Sequence, residues 1–241
     1  MKVPVRSEIY FQAWILIAGI TMVVVYMAVD LGFVWQVIEA DRSRLCILIG
    51  GLFVGSTAHA AWHIIRVTHL IRQAAAWLLI SGQQDGKGPG GNEDRQIAAS
   101  LDEPAGFLGE FVDDVIEARR NNEIRQNSEP SLVLEVHADR LRAAVDIGWY
   151  LVDILIRLGL LGTIIGFILI LSTLSSGPEP TPENIQRLLI SMSGGMGTAL
   201  YTTLAGLVTA MALGTQYMVL ARGTEDLIAL LVRVRDRIGV P

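Results

Sequence analysis

The chain has 241 residues, 51% hydrophobic and 18% charged, with 24 glycines and a mean hydropathy of +0.46. That is too apolar for a water-soluble domain of this length, so part of it belongs in lipid. The balance of 19 Lys+Arg against 24 Asp+Glu offers no basic surface for phosphates and excludes nucleic-acid binding by bulk charge. A single cysteine, Cys46, excludes an intrachain disulfide framework, and no CxxC or Cys/His cluster forms a metal pattern.

A bilayer core needs roughly 20 mostly apolar helical residues. Four windows reach that length, at about 13–35, 45–65, 147–174 and 188–220. The first follows Lys2 and Arg6, but its apolar run exceeds the h-region of a signal peptide, so it reads as an uncleaved span. Lys/Arg near the span ends set orientation. Lys2, Arg6, Arg66, Arg72, Arg140, Arg142, Arg222, Arg233, Arg235 and Arg237 fall on one side, and only Arg42, Arg44 and Arg187 on the other. The expectation is an all-α protein of the inner membrane, with both termini cytoplasmic and four transmembrane helices in two hairpins.

Four segments follow from this topology: an N-terminal hairpin (1–71), a cytoplasmic insert (72–146), a second hairpin (147–222) and a C-terminal helix (223–241). The insert carries 8 Lys/Arg against 14 Asp/Glu, so all of the net acidity lies there. Within it, 81–94 is glycine-rich and polar and reads as a flexible loop. Phe107, Leu108, Phe111, Val115 and Ile116 then recur at three- and four-residue spacing, which predicts an amphipathic helix. Its charged face is read as solvated, without an assigned contact. Leu134, Leu141, Val145 and Ile147 run at helical spacing into the third span, and Leu227, Ile228, Leu231 and Val234 prolong the fourth. The last two membrane helices are therefore expected to extend into the cytoplasm. The link between them is read as external, at 175–187.

The third span contains LGLLGTIIGF, with Gly159, Gly162, Thr163 and Gly166 inside two turns. In the fourth, ALYTTLAGL contains Gly206, the first member of a four-residue repeat of Gly206, Ala210 and Gly214, with Ala199 and Thr203 sharing a face. Small residues at these intervals let helix backbones approach closely. LGLLGT with its Ile-Ile-Gly continuation, and ALYTTLAGL in the last span, resemble the two motifs of the MotA/TolQ/ExbB proton-channel family. The resemblance covers about the last 100 residues and matches in order and topology. It implies a homopentamer around the single membrane helices of a dimeric partner of the MotB/TolR/ExbD type. Proton flow would then do mechanical work, without enzymatic chemistry or a cofactor.

The resemblance carries the ion pathway to Thr163 and Thr203; the neighbouring Thr202 does not match. A threonine hydroxyl both donates and accepts, so a pore-facing one can hold water or meet a partner's carboxylate. Helical rise puts Thr163 about 14 Å from one boundary and Thr203 about 12 Å from the other, near mid-membrane. The structural alternative is that each hydroxyl bonds its own helix backbone. Ile156 and Ala212 stand where the family often has proline, which argues against a flagellar role; the four-span layout, however, resembles the flagellar branch and the paired threonines the TolQ/ExbB branch, so both branches stay open.

Asp153 and Arg157, at i, i+4, read either as a cytoplasmic gate or as a self-neutralising interfacial pair. Asp30 reads as an interfacial carboxylate. The spans thus lack a central proton carrier, and the decisive acid is expected on the partner. His59 and His63, beside Trp62, form an HxxxH that motivates a rival reading as a membrane redox protein. No second histidine on another span completes a haem site, and interfacial placement accounts for them better. The other alternative is a non-conducting oligomeric scaffold built on the same glycine faces.

Overall fold

Backbone polar groups in lipid must be satisfied internally, which a helix does and an isolated strand does not. The computed structural model describes residues 7–41, 43–83, 106–125, 130–175 and 182–239, and every regular element among them is an α-helix. These are α1 (Ser7–Asp30), α2 (Phe33–Ala40), α3 (Leu45–Gln83), α4 (Phe107–Arg125), α5 (Pro130–Ser175) and α6 (Pro182–Gly239). Four of them, α1, α3, α5 and α6, are long and apolar enough to cross a membrane.

The helix limits correct three expectations. The first span stops at Asp30 instead of running to residue 35, because Gly32 adopts a left-handed backbone (φ 72°) and starts α2. Helix α3 continues through Gln83, so the first residues of the expected loop are helical; 84–94 lie outside the described residues. Helix α6 already begins at Pro182, well placed because its missing N–H is not needed in a first turn. Residues 176–181 of the expected link, and Lys2, Arg6 and Arg42 of the orientation argument, lie outside the described residues, as does the side chain of Arg187. Helices α5 and α6 have 46 and 58 residues. At 1.5 Å per residue they measure about 69 and 87 Å, far beyond a bilayer core.

The chain divides into two compact units. The first draws on Met1–Trp14, Ala61–Asp146 and Met218–Pro241. Its core joins Trp77 of α3, Phe111 and Val112 of α4, and Leu227, Leu231 and Val234 of α6, all buried. Helix α4 buries Phe107, Leu108 and Val115 on the same stripe, so it is a packed element and not only a solvated one. The Arg119 guanidinium donates to the Ile238 carbonyl (2.5 Å), and Arg237 to the Ser81 carbonyl (3.3 Å). The second unit comprises Ile15–Ala60 and Ile147–Tyr217.

Candidate functional site

The second unit holds both glycine-rich motifs. Contacts pair Gly148 with Tyr217, Gly159 with Gly206, Gly166 with Ala199 and Ile170 with Gly195. Each step forward along α5 matches an equal step back along α6, so the two helices pack antiparallel in one register. The approach is close enough to require glycine. A Cβ at Gly162 would lie 2.1 Å from Thr202 Oγ1, and one at Gly206 would lie 2.8 Å from the Leu155 carbonyl oxygen. A Cβ at Gly166 would lie 2.7 Å from the Gly195 carbonyl oxygen. Gly214 differs, since its nearest neighbours, on Trp149 and Val152, would be 3.9 Å away, an ordinary contact. Ala210 is buried on the same stripe.

Thr163 and Thr203 each lie one residue beyond the Gly162–Thr202 contact, which puts them at nearly one level on facing helices. Thr163 Oγ1 donates to the Leu160 carbonyl (2.6 Å). Its side chain is partly exposed and, among the described residues, is the one polar group lining an open groove with Ile164, Phe167, Met196 and Leu200. Thr203 Oγ1 shares its proton between the Ala199 carbonyl of its own helix (3.0 Å) and the Gly159 carbonyl of α5 (3.2 Å). Both hydroxyls thus donate to backbone and keep lone pairs that can accept from water.

Thr202, unmatched to the family motif, is fully buried, donates to the Thr198 carbonyl (2.8 Å) and fills the space that Gly162 leaves. The buried stripe of α6 passes through Thr198, Thr202, Gly206 and Ala210, so the Gly206–Ala210 repeat continues back through two threonines, a four-residue spacing visible in the sequence once Thr is counted as small.

Asp153 and Arg157 form an i, i+4 ion pair (2.5 Å) with both side chains substantially exposed. His59 sits against Tyr217: the Tyr217 hydroxyl donates to the Ser56 carbonyl (3.2 Å), leaving its oxygen to accept from His59 Nδ1 at 2.8 Å. That contact was missed in the sequence. Gly148 makes it possible, because a Cβ there would fall 2.0 Å from the Tyr217 ring. Among the described residues, the one cluster of three metal-type side chains is Glu110, Asp114 and His137, which contains neither His59 nor His63.

No curated protein and no solved structure is significantly similar to this chain. The MotA/TolQ/ExbB proton channel family matches residues 104–232, a stretch holding α4, α5 and most of α6. With more than half of its length matched and four helices able to span a bilayer, the chain belongs to the MotA/TolQ/ExbB proton channel family and is a multi-pass membrane protein.

Proposed function

We propose that the chain is the channel-forming subunit of an inner-membrane complex that couples proton flow to mechanical work through a single-span partner. Family membership supports the channel class. The observation that carries the site is the helix register, with Thr163 and Thr203 at one level beside an interface tight enough to demand glycine at Gly162, Gly166 and Gly206. In this reading five copies, termini in the cytoplasm, surround a dimeric MotB/TolR/ExbD-like partner. The two hydroxyls orient water or the partner's carboxylate at mid-membrane. The Asp153–Arg157 pair gates the cytoplasmic mouth, where its ionic partners can exchange with an entering proton. Gly159, Gly162, Gly166, Gly206 and Ala210 hold the two helices at the separation the path needs, with Gly214 at the looser end.

The test is proton uptake into vesicles containing the chain with its partner. Thr163→Val and Thr203→Val keep side-chain shape and remove the hydroxyl; the double variant is expected to lower flux by about tenfold or more, as for loss of a charge-stabilising polar group. Flux equal to wild type would refute the assigned path. The backbone bonds made by both hydroxyls favour a second reading, a non-conducting scaffold. Collapsing the proton gradient with an uncoupler separates the two: the channel loses its cellular activity and the scaffold keeps it.

A further inference from the structure

Helices α4 and α5 bring three metal-binding side chains together at a place the ion path does not use. Glu110 and Asp114 stand one turn apart on α4 and share a face. His137 meets them from α5, and one ligand atom from each of the three lies within 4.8 Å of the other two. The imidazole is 2% exposed. Its Nδ1 donates to the Val133 carbonyl (3.0 Å), which puts a lone pair on Nε2. That Nε2 is buried and has no hydrogen-bond partner, since Asp114 Oδ2 stands 3.6 Å away, beyond hydrogen-bonding reach. Phe107 and Phe111 pack edge-on against the ring, at centroid distances of 5.4 and 5.2 Å, and fix its direction. Arg140 Nη1 donates to Glu110 Oε1 (2.8 Å), leaving that carboxylate a second oxygen to offer.

We infer that Glu110, Asp114 and His137 bind one divalent transition-metal ion of the zinc class, which clamps α4 onto α5. A backbone carbonyl that fixes the tautomer of a buried histidine is how proteins orient a metal-ligating imidazole. Two carboxylates neutralise the dication, and water completes the coordination. Mixed imidazole and carboxylate ligands suit zinc or nickel better than magnesium or calcium, which prefer oxygen alone. Bonds of about 2.0–2.2 Å require the ligand atoms to draw in, and the two carboxylates, exposed or half-buried, can turn to do so. The sequence hid this site, because the acids and the histidine are separated by the segment between α4 and α5.

The test uses the full chain, purified in detergent without a polyhistidine tag, titrated with zinc by calorimetry and with cobalt(II) by visible absorption. One ion per chain is expected. Asp114→Asn and Glu110→Gln should each weaken binding by roughly tenfold or more, and His137→Gln should abolish the cobalt ligand-field band. His69→Ala, at an exposed position, should bind as wild type. If His137→Gln fails to fold, the two carboxylate variants, on the surface side, decide alone. Absence of saturable zinc binding in the wild type, binding unchanged in both carboxylate variants, or loss in His69→Ala would each overturn the site.

Discussion

Asp41 is a carboxylate only 4% exposed, at the entrance to α3. Its Oδ1 accepts from the Ser43 amide (2.9 Å) and hydroxyl (2.5 Å), and its Oδ2 accepts from the Cys46 amide (2.7 Å). The bond from Cys46 satisfies an amide that the first turn of α3 leaves unpaired, and those from Ser43 hold the turn that leads into it. Burial pushes the Asp41 carboxyl up, but the hydrogen bonds from Ser43 and Cys46 outweigh it and hold the group below its ordinary 3.8. A depressed folded value means that the stabilisation is present above pH 3.8 and is lost as pH falls further, through the folded value. Asp41→Asn is expected to lower stability at pH 7 by about 1–2 kcal/mol. Thermal unfolding in detergent across pH should show the difference from wild type shrinking only below that ordinary carboxylate value.

At the scale of helix pairs, the α5–α6 contact divides its glycines into two classes. Gly162→Ala drives a methyl group into Thr202, and Gly206→Ala drives one into backbone that cannot yield. Each should cost about 1–3 kcal/mol as overpacking. Gly214→Ala meets only ordinary contacts and should leave the melting temperature near wild type. If all three variants melted alike, the register would be wrong. The small-residue repeats on both helices are legible in the sequence, as are four apolar runs of spanning length. Which residue opposes which is not, because a repeat of four fits several registers and only the three-dimensional contact selects one. Thr202 and Thr203 are adjacent in the sequence, yet one fills a glycine notch and the other reaches a carbonyl of the neighbouring helix. The same limit applies to Gly148 and Tyr217, and to His137 with Glu110 and Asp114. These are pairings between distant segments, and periodicity within a helix says nothing of its partner. The break at Gly32 was hidden for another reason: apolar residues continue through it, and hydropathy does not register a change of backbone conformation.

Considered as a whole chain, the protein leaves much apolar surface without cover. In α1, none of the apolar spanning window is buried, and Leu16, Met22 and Tyr26 are more than half exposed. Ile164 and Phe167 of α5, and Leu200 and Met211 of α6, are equally open. Patches of this kind on a spanning helix face acyl chains or other membrane helices. Co-expression with a single-span protein that carries a membrane aspartate should therefore yield one complex of five copies with two of the partner, read by native mass spectrometry. Recovery of only single chains would refute that assembly.

The far end of α6 is not a loose tail. Arg119 of α4 holds the Ile238 carbonyl, and Ile238 is itself 3% exposed. Clipping the chain ahead of this residue would take one acceptor from Arg119 and remove a buried apolar side chain from the first unit. Fluorescent fusions and affinity handles attached at this end consequently need a spacer that leaves the final turn seated, or they will perturb the very helix they are meant to report on.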